Sequence, residues 1–330
     1  MTILITGGTG FVGLNLAEHL LKQGAEVVLH GLSAPVPEVA SFLSRLTGKL
    51  WVVEGDVRDA AALARVVAAR GVERIIHAAA VTAGLERTRA DFATIVDVNV
   101  NGTVRLLEAA RQAAARRVLV LSSVAVYGPG TDAQHEFSED ETPPRPGTLY
   151  AVTKHAAEQI ALRYAETFGF DVITARVGAV FGRWEHPSGL RDTMSMPFQL
   201  VAKALHGEEA RLLSARPKDW IYAPDLARAL CGLLDCAAPR HRLYNVGAGR
   251  VCSVEAFADA LRRRYPAFTY HIVAEAGAAN VDYHGSPTRP PMSIERLRAE
   301  TGFAPRFGLD AAFADYAAWI EQFPSLMARA

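Results

Sequence analysis

Short apolar runs that alternate with amphipathic stretches restrict the fold of this chain more than any other feature. Runs at 3–5, 26–29, 51–53, 74–76, 118–121 and 172–174 are separated by stretches at 14–23, 60–70, 91–115 and 150–168 whose apolar residues recur at helical spacing. Strands that alternate with helices are joined by right-handed crossovers and lie parallel, so the pattern predicts a doubly wound α/β sheet. The runs are apolar at consecutive positions, as strands covered on both faces are. Past residue 182 the alternation loosens. The stretch 183–217 mixes Pro, Gly, Arg and Met; helices are predicted at 224–236, 254–265, 294–301 and 309–322, and a strand at 243–246. This divides the chain into a first lobe of 1–182, to which 219–246 returns, and a smaller C-terminal α/β lobe of 183–218 and 247–330.

Composition removes several function classes. Lys plus Arg and Asp plus Glu both count 35, so no net charge draws the chain to nucleic acid or an anionic membrane. Three cysteines, Cys231, Cys236 and Cys252, cannot all pair and have no metal-type spacing, which points to a reducing, cytoplasmic setting and no metal centre. The opening Met1-Thr2-Ile3-Leu4-Ile5-Thr6-Gly7 lacks a basic region, and its apolar run is too short for a signal peptide. No apolar run reaches the ~18 residues of a membrane span.

The first strand runs into Thr6-Gly7-Gly8-Thr9-Gly10-Phe11-Val12-Gly13, and a helical stretch follows. Gly7 permits a tight turn, Gly10 lets backbone approach a pyrophosphate, and Gly13 lets helix pack close to strand. Phe11 and Val12 open the helix whose free N–H groups would face the phosphates. At a strand–helix junction this spacing points to a dinucleotide, NAD or NADP. The second strand ends in His30-Gly31-Leu32-Ser33, where a carboxylate usually meets the adenosine ribose of NAD. His30 and Ser33 stand near that position, and without the acid a 2′-phosphate meets no repulsion, so the cofactor form stays open. A surface-loop histidine is the other reading of His30. Asp56-Val57 can meet the adenine, with Asp56 as a plain helix N-cap the alternative.

Tyr150 and Lys154 are four residues apart at the start of a helical stretch and share one face. The strand at 118–121 ends in Ser122-Ser123, and such strand ends are where sites form in these sheets. Removing a hydride from a secondary alcohol also removes its proton, and a free tyrosine with pKa ~10 is a poor base at neutral pH. A neighbouring ammonium, here Lys154, favours the phenolate, and Ser123 can orient the substrate oxygen.

At these motifs the chain resembles the extended short-chain dehydrogenase/reductase family, the group of nucleotide-sugar epimerases, dehydratases and uronate dehydrogenases. The resemblance spans nearly the whole chain through the glycine turn, Asp56-Val57, His77-Ala78-Ala79-Ala80, Asn99-Val100-Asn101-Gly102-Thr103, Ser122 to Gly128, Tyr150 to Lys154, and Lys218-Asp219-Trp220-Ile221-Tyr222. It implies a Rossmann cofactor lobe, with Ala78, Ala79 and Ala80 at the cofactor and the Ala80 backbone near its nicotinamide half. It also implies Asn99 supporting the site and Ser123, Tyr150 and Lys154 as catalytic residues. It implies a homodimer through a helix pair, 91–115 with 150–168.

The chain departs from nucleotide-sugar epimerases where they grip the substrate's diphosphate. Arg176-Val177-Gly178-Ala179 carries Ala179 in place of their Asn and resembles the uronate dehydrogenase pattern; Lys218 replaces an Arg; Tyr283 stands near a second Arg position. Substrate candidates are Thr82, Val177, Gly178, Ala179 and the cations Arg183, Arg191, Arg216, Lys218 and Arg289, any one of which also reads as a solvated charge. Met194, Met196 and Trp184 read as core or pocket lining. The leading expectation is net hydride transfer at a secondary alcohol or ketone of a small polyhydroxy substrate such as a sugar acid or lactone. The alternatives are a nucleotide-sugar 4-epimerase with tightly bound NAD and a non-catalytic NAD(P)-binding regulator on the same fold.

Overall fold

A computed structural model describes residues 1–130, 136–187, 189, 191–213, 217–282 and 289–327. In the first half, β1 (Thr2–Thr6), α1 (Phe11–Lys22), β2 (Glu26–Gly31), α2 (Pro37–Ser44), β3 (Lys49–Glu54), α3 (Ala60–Ala69) and β4 (Arg74–His77) alternate as their periodicity dictates. Next come α4 (Leu85–Ala90), α5 (Phe92–Val96), a π turn (Asp97–Asn101), α6 (Gly102–Gln112), β5 (Arg117–Ser123), α7 (Leu149–Phe168) and β6 (Val172–Val177). Strands β1 to β6 and β10 (Leu243–Val246) form one parallel sheet of order β10-β6-β5-β4-β1-β2-β3.

Side chains alternate across this sheet, so each strand feeds two cores. Ile3, Ile5, Val27, Leu29, Leu119 and Ile173 pack with Leu14 and Leu20 of α1 and with Leu226 and Leu230 of α9 (Ala223–Asp235). Leu4, Val28, Ile75, Val118 and Val172 face the other way, onto Leu63 and Val67 of α3 and Leu106 and Leu107 of α6. The strand order reverses between β1 and β4. The crevice at their C-terminal ends is where ligands bind in such sheets.

The rest of the chain builds two small sheets. One joins β7 (Ala179–Phe181) in parallel to β9 (Lys218–Tyr222), with β11 (Val251–Cys252) antiparallel on its other edge. The other pairs β8 (Ala210–Leu213) with β12 (Tyr270–Val273). Helices α8 (Met196–His206), α10 (Val254–Arg264), α11 (Glu295–Thr301), α12 (Leu309–Gln322) and α13 (Pro324–Met327) complete it. Among the described residues no helix is long and apolar enough to cross a membrane.

Two local expectations change. The helix expected over 91–115 is interrupted by the π turn, whose extra residue swings Asn99 into the interior. The second strand runs on to Gly31, so His30 is a fully buried strand residue rather than a surface-loop one.

A candidate active site at the sheet's switch point

The glycine turn leaves β1 and lies against the backbone that leaves β4. Gly7 has φ +65, and a Cβ there would sit 2.7 Å from the Ala79 nitrogen. A Cβ at Gly13 would sit 2.4 Å from the Gly7 carbonyl oxygen, so only glycine lets α1 start this close to the strand. Gly10 is the N-cap, with no side-chain cap and no acidic residue in the first turn. The opening amides of Phe11 and Val12 are thereby left to an anion, and the turn fits the pyrophosphate of a dinucleotide. Ala78, Ala79 and Ala80, half-buried, form the opposite wall.

Beneath that wall His77 is pushed down to about 3 by burial, then by the Lys154 and His30 charges, so it is neutral at physiological pH. Its Nδ1 lies 2.6 Å from Thr6 Oγ1 and its Nε2 3.0 Å from Thr103 Oγ1. Thr103 Oγ1 already donates to the Asn99 carbonyl at 2.9 Å, so it accepts from Nε2–H, and Nδ1 accepts from Thr6. This chain of bonds ties three elements together behind the crevice.

At the adenosine end, Asp59 caps α3 by accepting from the Ala62 amide at 2.9 Å, so Asp56 is not the N-cap. The Asp56 carboxylate accepts from Arg58 Nε at 2.9 Å and from the Arg58 amide at 2.8 Å. Hydrogen bonding from Arg58 holds its carboxyl below the usual range. Val57 is buried against Gly102, and Ser33 lies exposed beyond β2. Neither ring nitrogen of His30 has a hydrogen-bond partner, and a Cβ at Gly55 would stand 2.6 Å from its Nε2.

The catalytic candidates come from two elements. Helix α7 is capped by Thr148, which accepts from the Ala151 amide, and it ends at left-handed Gly169. Tyr150, Lys154 and Glu158 recur every four residues on one face. Strand β5 delivers Ser123 opposite Val177, and Ser123 Oγ accepts from the Ala125 amide at 3.2 Å. Ser123 and Thr82 both lie close enough to the Tyr150 phenol to pull its pKa down, so phenol and hydroxyls converge. Burial raises the phenol, while Ser123, the Arg191 charge, Thr82 and the Arg289 charge pull it down. Burial also lowers Lys154 to about 8, against the opposing charge of Glu158. The ammonium therefore survives at neutral pH, one helical turn along α7 from the phenol.

Asn99 accepts from the Val81 amide at 2.8 Å and donates to the Val81 carbonyl and to Thr153 Oγ1, at 3.1 and 3.0 Å. It therefore holds the loop carrying Thr82 against the helix carrying Tyr150. Val177 and Gly178 pass beside Ser123, and a Cβ at Gly178 would press on the Met292 methyl at 2.9 Å. Ala179 begins β7.

The cations divide. Arg183 is committed elsewhere: it donates to Asp315 and to Glu18 Oε1, fastening α12 to α1. Trp184, buried, donates to Glu18 Oε2 at 2.6 Å, and Met196 lies in the core with Met194 packed against it. Arg191 bridges to Thr82 through the backbone and pairs with buried Glu185 at 2.9 Å. Lys218 is lowered to about 8 by burial and then by the Arg289 charge, so these two cations are near each other. Arg216 and Tyr283 lie outside the described residues.

One buried group was not singled out from the sequence. Glu158, fully buried, accepts from Arg176 Nε at 2.9 Å and Nη2 at 2.7 Å and from Ser122 Oγ at 2.7 Å. The Arg176 guanidinium lies 4.5 Å over the Tyr127 ring, and Tyr127 donates to Asn245 at 2.8 Å. The available signal was Glu158 itself, a charge on the inward face one turn beyond Lys154.

Residues 3–247 match the description "NAD dependent epimerase/dehydratase family". The chain belongs to that family. It is an enzyme fold of the extended short-chain dehydrogenase/reductase type, as its motifs imply. It is 27% identical over 97% of its length to UDP-glucuronate 4-epimerase 1 of Arabidopsis thaliana, covering 76% of that protein. A probable UDP-glucuronate 4-epimerase of Rhizobium meliloti (strain 1021) is 26% identical, with 98% of this chain and 97% of the relative covered. The structure of MoeE5 in complex with UDP-glucuronic acid and NAD superposes with a TM-score of 0.77 at 26% identity, covering 98% of this chain and 99% of that one.

Proposed function

We propose that this family member is an NAD-dependent 4-epimerase of a nucleotide-linked sugar. The observation that carries it is the convergence of Ser123, Thr82 and Tyr150 at the switch-point crevice, one helical turn from Lys154 and beside a glycine turn shaped for a dinucleotide. The two named relatives, similar along almost the whole chain, support epimerisation over the net oxidation of a small free substrate that the sequence put first.

The glycine turn, Phe11, Val12 and the Ala78–Ala80 wall would hold the dinucleotide, which when bound supplies the hydride acceptor and donor. Tyr150 takes the proton from the reacting hydroxyl and returns it to the same oxygen. The acid–base group therefore ends each cycle as it began. Ser123 and Thr82 hold that oxygen in line with the phenol, and Lys154 keeps the phenolate accessible. In this reading 1–182 with 219–246 carries the cofactor, and 183–218 with 247–330 covers the substrate.

Incubating the protein with UDP-glucuronate and following the sugar by NMR should show conversion to the C4 epimer with no net build-up of reduced nicotinamide. Build-up with free glucuronate or galacturonate, and no conversion of the nucleotide sugar, would overturn the proposal. That second outcome is the net-dehydrogenase reading, which Ala179 favours because it stands where nucleotide-sugar epimerases carry Asn. Exposed Phe92 on α5 and Val152 and Phe168 on α7 support a homodimer through this helix group. Sedimentation equilibrium should give twice the chain mass, and a monomer at all concentrations refutes it.

A further inference from the structure

In a dinucleotide unit of this kind, a carboxylate at the end of the second strand takes up the adenosine ribose hydroxyls. Here that strand ends in His30 and Gly31, whose Cβ directions alternate across the sheet. His30 points inward. It is fully buried, and a Cβ at Gly55 would stand 2.6 Å from its Nε2. Burial lowers its pKa, so it is neutral at physiological pH and brings no charge to the crevice.

Gly31 faces the glycine turn instead. A Cβ there would stand 2.4 Å from Thr9 Oγ1 and 3.3 Å from Thr9 Cγ2. Gly31 does not have a positive φ, so its backbone conformation would admit other residues. What excludes a side chain at this position is Thr9, which already fills the space. Thr9 is half-buried, and its hydroxyl makes no hydrogen bond within the described residues. It therefore joins the phosphate-binding turn to the strand end where the adenosine ribose is read, with one polar group uncommitted.

The neighbouring acids do not replace the missing one. Asp56 accepts from the Arg58 amide, Nε and Nη2, and the pair is neutral as a whole. Glu54 is the register partner of Gly31 on β3, exposed and one strand further out. A carboxylate at the ribose only accepts hydrogen bonds and repels a phosphate. A hydroxyl both donates and accepts.

We propose that Thr9 takes the place of the ribose-binding carboxylate, so that the crevice accepts NADP about as readily as NAD. Thr9 Oγ1 accepts from the 2′-hydroxyl of one and donates to the 2′-phosphate of the other. This widens the cofactor range of the NAD-dependent reading above, and it holds whichever substrate the crevice takes.

The test is calorimetric titration of the protein, freed of carried-over nucleotide, with NAD and with NADP in turn and with no substrate present. The two dissociation constants should lie within about tenfold of each other. A larger preference in either direction overturns the proposal. In the double variant Thr9→Ala/Gly31→Asp, space opens beside β2 and a carboxylate enters it. NADP should then bind on the order of a hundredfold more weakly relative to NAD, because like charges set side by side disfavour each other. An unchanged ratio in a folded double variant would mean that position 31 does not face the ribose, and Thr9 loses the role.

Glu54→Gln tests the rival acid and keeps the question decidable if the double variant does not fold, as judged by its melt. A ratio unmoved by this substitution supports Thr9. A natural preference for NAD that Glu54→Gln abolishes gives the 2′-hydroxyl to Glu54 and overturns the proposal.

Discussion

Tyr150→Phe should lower the turnover number by a factor of roughly a hundred to ten thousand, the usual contribution of a positioned proton acceptor. Cofactor affinity should stay close to that of the natural protein. The phenol oxygen is the atom that Ser123 and Thr82 approach, and phenylalanine keeps the ring while removing it. The loss should therefore appear in kcat, because an interaction confined to the reacting proton acts on the transition state. Single-turnover mixing with substrate, followed through the absorbance of reduced nicotinamide, isolates this step, and calorimetry with NAD checks the binding. A variant that keeps its full rate removes Tyr150 from the mechanism. One that loses NAD affinity as well shows that the substitution has disturbed the crevice itself.

Glu158→Ala should be the most damaging stability change in the chain that touches no ligand. It strips a fully buried guanidinium of both its bonds to the carboxylate and leaves Ser122 Oγ without its acceptor. Breaking a buried pair from one side costs about 3–5 kcal/mol, against about 0.5 kcal/mol for an exposed pair. Thermal melts should show a fall of roughly 10 °C for Glu158→Ala. Glu166→Ala, which removes the exposed partner of Arg163, is the matched control and should barely move. Equal shifts in the two would mean that the buried pair has no special weight.

Glu158→Gln adds a second readout. Burial has already brought Lys154 down to about 8, and the Glu158 charge opposes that shift. Removing the charge lowers the lysine further, so ammonium is lost at a lower pH. Activity that declines above about pH 8 in the natural protein should decline earlier in this variant. A purely structural role for Glu158 would lower the rate without moving this limb.

Periodicity carried most of the first lobe. The helix expected at 60–70 is α3, at Ala60–Ala69, and the helix expected at 150–168 is α7, at Leu149–Phe168. These stretches are long enough for apolar residues to define a face. Where the signal was short or broken, the reading missed. Helix α2 has eight residues and was not recognised, and β8 and β12 pair only because residues some sixty positions apart meet. The π turn at Asp97–Asn101 is invisible to a periodicity count, because its single extra residue matters only for where Asn99 points.

By itself the sequence determined the parallel sheet and the glycine turn at its first junction, and it nominated the phenol, ammonium and hydroxyl proposed here for catalysis. These follow from repeat spacing and from residue types whose chemistry needs no neighbour to be recognised. Only the tertiary structure decided which charges are spoken for. Arg183 and Arg289 look alike in the chain; one fastens α12 to α1 through Asp315 and Glu18, and the other keeps a buried Nε unpartnered near Tyr150. The physical reason is that a charge's role is set by what lies within a few ångströms of it. In Arg183's case those groups stand more than a hundred residues away along the chain, where no local pattern reaches.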